Sequence, residues 1–151
     1  MFKRILVPLD GSEFAERALE PAFQIASKFG SEIILLRVMV VEEPSHAAPR
    51  IGALYYGGLG DLSLEGDRED AGAYLYAIKS QWIGAGTPIH TRIAPGAPPE
   101  IITEVAEEEE VELIVMSTHG RSGFSRLIYG SVAEAVLRGA RVPLLLVPIK
   151  S

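Results

Sequence analysis

Five short apolar runs punctuate the chain: Ile5-Leu6-Val7, Ile33-Ile34-Leu35-Leu36, Ile89 to Ile93, Leu113-Ile114-Val115-Met116 and Leu144-Leu145-Leu146-Val147. Four are nearly continuous, the pattern of strands covered on both faces. The run Ile89-His90-Thr91-Arg92-Ile93 alternates instead and reads as an edge strand. Helical spacing fills the intervals. Ala15, Ala18, Leu19, Ala22, Phe23, Ala26 and Phe29 precede a stop at Gly30; Ala71, Tyr74, Leu75, Ile78 and Trp82 precede Gly84 and Gly86. A third helix follows Pro98-Pro99 with Ile101, Ile102, Val105 and Ala106, and a fourth runs from Ser131 to about Arg138 before Gly139. Pro21 lies inside the first pattern, where an interior proline costs ~3 kcal/mol, and so predicts a kink. Alternating strands and helices predict the α/β class: a single open five-stranded parallel sheet with helices on both faces, Rossmann-like, joined by right-handed crossovers.

Two segments break this rhythm. Residues 40–67 carry Pro44, Pro49 and the glycine-rich stretch Gly52 to Gly60. A loop of that length is either a flexible surface insertion or a functional element, here a lid whose Tyr55 and Tyr56 close over a ligand. The run Glu107-Glu108-Glu109-Glu110 ends the third helix with charge that opposes its dipole, which predicts a fraying solvated end or a charge-dependent partner site.

Composition narrows the class. At 151 residues, 48% hydrophobic and 23% charged, the chain reads as one folded domain, residues 1–151. A net charge of −6 argues against general nucleic-acid binding, which needs a basic surface. The absence of cysteine excludes disulfides, thiolate metal sites and thiol nucleophiles. No apolar run is long enough to span a bilayer, and the opening residues lack the pattern of a secretory signal, so the expectation is a cytoplasmic protein without membrane contact.

Candidate chemistry concentrates after the fourth strand, from Met116 to Glu134. Ligands of open parallel sheets bind beyond the carboxyl ends of strands. This stretch leaves such an end, rich in small residues, and runs into a helix start that aims bare N–H groups at the same place. Ser117 to Arg141 holds four arginines against one glutamate, a local charge of +3 that leaves −9 on the rest of the chain. Against an anion site stands a purely structural alternative: Ser131-Val132-Ala133-Glu134 has the form of a capping box, and Gly123 and Gly130 suit turns. A P-loop lysine is absent, Gly120-Arg121-Ser122-Gly123 is one residue short of a nucleophile elbow, and His46, His90 and His119 lack metal-ligand spacing.

The block Ser117-x2-Gly120-x9-Gly130-Ser131 resembles the nucleotide loop of the universal stress protein family, whose ATP-binding members carry Gly-x2-Gly-x9-Gly-Ser/Thr. Ile5 to Ser12, Pro95 to Ile101 and Val142 to Val147 resemble the same family, so the similarity covers the chain apart from residues 40–67. The resemblance implies strand order 3-2-1-4-5 and ATP held between the turns after strands one and four. Gly120, Gly130, Ser131 and Val132 would meet the phosphates through backbone amides and the Ser131 hydroxyl, with Met116, Ser117, Arg121 and Ala133 around them. Pro8, Leu9 and Asp10 would line the nucleoside end and Val38 would flank adenine; Mg²⁺ would ride on the phosphates. Asp10 is a candidate for a ribose or base hydrogen bond, or else a turn and helix cap. Ser117 departs from the pattern's first glycine, and its backbone is therefore expected to be extended.

The apolar last strand falls at a sheet edge in the implied order, which predicts a homodimer through residues 142–149; the alternative is an edge guarded by Pro143, Pro148 and Lys150. The implied function is an ATP-dependent sensor or regulatory dimer. Two other classes remain open: a nucleotide-free dimeric interaction module, and a slow ATPase or self-phosphorylating enzyme.

Overall fold

The chain runs β1 (Arg4–Leu9), α1 (Glu13–Glu16), α2 (Leu19–Phe29), β2 (Glu32–Val40), α3 (Arg50–Trp82), a 3₁₀ turn (Ile83–Ala85), β3 (Ile89–Gly96), α4 (Pro98–Glu108), β4 (Leu113–Ser117), α5 (Ser131–Gly139) and β5 (Leu144–Val147). This computed structural model describes residues 1–41, 50–119 and 130–149, and the side chains of all of these except 50–65. The strands form one parallel sheet in the order β3-β2-β1-β4-β5, as expected.

Alternation along each strand divides the core in two. Ile5, Val7, Leu9, Ile33, Leu35 and Val115 pack on one face under α2 and α3, against Ala22, Phe23, Leu75 and Ile78. Leu6, Ile34, Leu36, Ile114 and Met116 pack on the other under α4 and α5, against Ile102, Val105, Ala133 and Val136. The alternating strand β3 is an edge, as its polar positions require.

Four expectations need correction. Pro21 does not kink a continuous helix. The helix breaks at Arg17-Ala18, and Pro21 becomes the third residue of α2, where a missing N–H leaves no intrahelical bond unmade. Strands two and three run further than their apolar runs: β2 reaches Val40 and β3 reaches Gly96, paired through Val40↔Gly96. Helix α3 begins at Arg50, so residues 50–67 of the proposed 40–67 insertion are helical and Val40 ends β2, while 42–49 lie outside the described residues.

The glutamate run, finally, is held rather than frayed. Arg92 pairs with Glu108 and, at 2.7 Å, with Glu109; the Arg4 guanidinium donates to the Glu109 carbonyl at 2.8 Å, which places positive charge on the helix's negative end. The Val111 N–H closes the end on the Ala106 carbonyl at 2.8 Å, with Glu110 in the left-handed region at φ 51°.

Candidate functional site

The order β3-β2-β1-β4-β5 reverses direction between β1 and β4, and a crevice at the carboxyl ends of those two strands follows from the topology. Local chemistry keeps it open. The Lys3 carbonyl accepts from Glu32 of β2 and the Arg4 carbonyl from Glu112, so even-numbered positions of β1 face β4. Pro8 is one of them and has no N–H to offer. The β1–β4 ladder is correspondingly recorded only at Ile5↔Leu113 and Leu6↔Ile114, although the strands continue to Leu9 and Ser117.

One wall of the crevice is backbone. β1 stops at Leu9, opposite Arg37, while β2 continues to Val40. By the same alternation, the Val38 carbonyl and the Val40 N–H face the lane that β1 vacates. They form an acceptor and a donor spaced to take one further residue of a strand. Val38 is half-buried against the α4–α5 side of the core and Val40 is 64% exposed.

The floor is the end of β1. The Leu9 side chain is buried in the core under α2, so only its backbone reaches the crevice; Pro8 is partly buried. Asp10 Oδ1 accepts from Ser12 N at 2.9 Å and from Ser12 Oγ at 2.5 Å, while Ser12 Oγ accepts from Ala15 N and caps α1. The turn role of Asp10 is thus realised, with Gly11 at φ 87° making the turn. On the α3 side, the Arg37 guanidinium lies 5.5 Å from the centre of the Tyr74 ring. Burial of the Tyr74 phenol, reinforced by the Glu16 carboxylate, pushes its pKa up; Arg37 opposes that shift.

The opposite shoulder is the passage from β4 to α5. Ser117 is buried, extended and part of β4, so the serine in place of glycine carries no positive φ and no strain. The Thr118 hydroxyl lies 3.0 Å from His119 Nδ1, and the Thr118 carbonyl accepts the Gly130 N–H at 2.6 Å. Gly130 is required by proximity rather than by turn geometry: its φ is −66°, but a Cβ there would lie 2.6 Å from the Thr118 oxygen. Because that N–H is already bonded, Gly130 contributes position and not an amide donor, which corrects its expected role.

The capping box does not form. Gly130, not Ser131, is the N-cap of α5, and the Glu134 carboxylate turns away to Arg138 at 2.6 Å. Ser131 is exposed at the first helical position, and the N–H groups of Ser131, Val132 and Ala133 lie in a first turn that no side chain caps among the described residues. The Ala133 and Met116 side chains are core residues, 2% and 6% exposed, so each can offer only backbone to the crevice.

The structure therefore gathers Pro8, Leu9, Asp10, Val38, Met116, Ser117, Gly130, Ser131, Val132 and Ala133 at one end of the sheet; Gly120 and Arg121 lie outside the described residues. Val40 and Thr118 were not singled out from sequence. The signal for Val40 was the apolar continuation Val38-Met39-Val40 beyond the second run. Among the described residues no cluster of three or more acidic or histidine side chains could hold a metal ion, and no helix is long and apolar enough to cross a membrane.

An open parallel sheet with this strand order and a helix start beside its switch point defines a Rossmann-like α/β protein. More narrowly, the chain belongs to the universal stress protein family, whose family model matches residues 1–148. It is 35% identical over 147 residues to universal stress protein MJ0531 of Methanocaldococcus jannaschii, spanning 97% of this chain and 82% of that protein. The solved structure of MJ0577 from the same organism superposes with a TM-score of 0.84 at 30% identity, covering 100% of this chain and 99% of that one. A universal stress protein solved in complex with cAMP shares the fold, with a TM-score of 0.69 at 24% identity over 99% of this chain and 98% of that one.

Proposed function

We propose that this chain is an adenine-nucleotide-binding regulatory protein, with ATP carrying Mg²⁺ on its phosphates as the expected ligand. The observation that carries this reading is the uncapped first turn of α5. Among the described residues the acceptors that would close it in a purely structural helix are missing or committed elsewhere: the N-cap Gly130 has no side chain, and the Glu134 carboxylate accepts from Arg138. No side chain among the described residues caps this turn, which leaves its amides and the exposed Ser131 to meet an anion in a dipole field that favours one.

The base end supports adenine in particular. The Val38 carbonyl followed by the Val40 N–H is the complement of adenine's amino donor and N1 acceptor. Guanine presents the reverse order, an oxygen acceptor and an N–H donor. Val38 would flank the ring, Asp10 would sit near the ribose, and Mg²⁺ would be held through the phosphates. The cAMP held by a protein of the same fold is consistent with such a ligand. Dimerisation through residues 142–149 belongs to the same proposal: β5 is an edge strand, and Leu145 is 37% exposed on it.

Calorimetric titration of ATP, ADP, AMP, cAMP and GTP, with and without Mg²⁺, tests the reading. Saturable heat with adenine nucleotides and none with GTP is expected. Ser131→Ala is expected to weaken ATP about 10-fold, the worth of one hydrogen bond to a charged group, without lowering the melting temperature, because Gly130 and not Ser131 is the N-cap of α5. No heat with any nucleotide at high micromolar concentration would instead favour a nucleotide-free interaction module.

A further inference from the structure

We propose that the free edge of β3 and the flank of α3 above it form a groove that takes an extended segment of another protein as a further strand of the sheet. This is independent of the nucleotide reading and of pairing through β5. The Ile33 N–H donates to the Pro88 carbonyl, and with the register Ile33↔Ile89 this turns the backbone of His90, Arg92 and Ala94 toward β2. The N–H and C=O groups of Ile89, Thr91 and Ile93 therefore point away from the sheet, and no group among the described residues bonds to them. Pro95, the next outward position, has no N–H and ends the run.

Helix α3 roofs the same edge. A Cβ added at Gly72 would lie 3.7 Å from Ile93 Cδ1, so the helix passes directly over β3. Gly72, Tyr76, Lys79 and Ile83 recur as i, i+4, i+7 and i+11 and share that flank, the last of them in the 3₁₀ turn. Tyr76 is 72% and Ile83 70% exposed, and Thr91 on the strand is exposed as well, so the groove is open to solvent. Large side chains left bare along a free strand edge suit strand addition, in which main-chain bonds hold the guest and alternate side chains select it.

The charges choose the guest. β3 and the row on α3 hold Lys79, His90 and Arg92 and no acidic residue. Glu32 faces His90, and Glu108 and Glu109 hold Arg92 on the α4 side, whereas Lys79 has no ion pair among the described residues. Lys79 lies about 10 Å along the helix from Gly72. About the same distance back along β3 from Ile93 is three residues, which sets Lys79 level with His90. The fitting guest is an extended segment with large apolar residues at alternate positions and a carboxylate near the start of β3. A second copy of this chain is the poorer guest, because antiparallel pairing of two β3 strands about Thr91 sets each His90 opposite an Arg92. Lipid cannot serve the backbone groups of a strand edge at all.

Fluorescence anisotropy with two labelled synthetic octapeptides tests this. Both alternate valine and threonine; one bears glutamate at each end and the other lysine. The glutamate peptide is expected to bind about 3-fold more tightly, an order that Lys79→Glu reverses. Thr91→Pro removes an outward N–H but no bond of the ladder, and is expected to weaken either peptide at least about 10-fold at an unchanged melting temperature. In hydrogen exchange, the bound glutamate peptide is expected to slow the amides of Ile89, Thr91 and Ile93 and to leave those of His90 and Arg92 as they were. Equal affinity of the two peptides, binding without that alternation, or no binding at millimolar peptide would overturn the proposal. So would a mass, measured by light scattering without peptide, that Thr91→Pro halves, since a second copy would then occupy the edge.

Discussion

The two ends of the sheet have been finished in opposite ways. At the amino end, polar groups are answered from within the chain: Lys3 N donates to Glu112 at 3.1 Å, Glu32 faces both Arg4 and His90 at 3.6 Å, and Arg4 also reaches Glu109. At the carboxyl end, β2 overruns β1, Pro8 halts a ladder, and α5 starts without a cap. The amino end is a scaffold held by its own ion pairs, with the Ser31 hydroxyl its one buried side-chain group without a partner among the described residues. Open backbone groups such as those at the carboxyl end must be answered by water or by a ligand with matching groups.

Breaking that contrast at its tightest point should have the largest effect. Gly130→Val forces a branched side chain against the Thr118 carbonyl, 2.6 Å from the added Cβ, where backbone rather than a flexible tip must yield. Loss of ATP affinity by at least about 100-fold is expected in calorimetry, with a drop of roughly 1–3 kcal/mol in unfolding free energy by urea titration. A variant that binds ATP as the parent does would show that the passage from Thr118 to Gly130 is not part of the site.

At the amino end the same contrast predicts stability changes without binding changes. Glu110 holds φ 51° at the close of α4, a conformation that costs a non-glycine residue roughly 1–2 kcal/mol. Glu110→Gly is expected to raise the urea midpoint by the equivalent of about 1 kcal/mol and to leave ATP affinity unchanged.

The smallest effect concerns Tyr74, on the α3 side of the carboxyl end. Its pKa is raised by burial and by Glu16, so the folded protein holds the phenolic proton more tightly than the unfolded chain. The associated stability is complete below the ordinary tyrosine pKa of 10.0 and is lost as pH rises above it. Absorbance titration should show a tyrosine that ionises late, absent from Tyr74→Phe, whose stability should fall less steeply in alkali.

Much of this architecture was legible in residue patterns, for reasons that differ by element. Apolar runs revealed strands because parallel strands are buried on both faces, and the alternation of Ile89 to Ile93 revealed an edge. What escaped was set by neighbours. Nothing local in Ser131 to Glu134 distinguishes a capping box from a helix that starts one residue earlier, since Thr118 decides the matter from across the β4–α5 passage. Nor does a glutamate run announce Arg4 and Arg92, which reach it from strands distant in sequence. The glycines of residues 50–66 argued for loop, and the observed helix overrides that propensity. The resemblance to the nucleotide loop pointed to the carboxyl end of the sheet, but it could not say that the Gly130 amide is bonded to Thr118.

Pro8 sets a limit of a different order. Salt, temperature or a point change elsewhere can strengthen or loosen most contacts in this molecule, but none can put a hydrogen on an imide nitrogen. The gap between the two central strands is therefore written into covalent structure, and a lineage that kept this proline could drift widely in sequence without zipping its cleft shut.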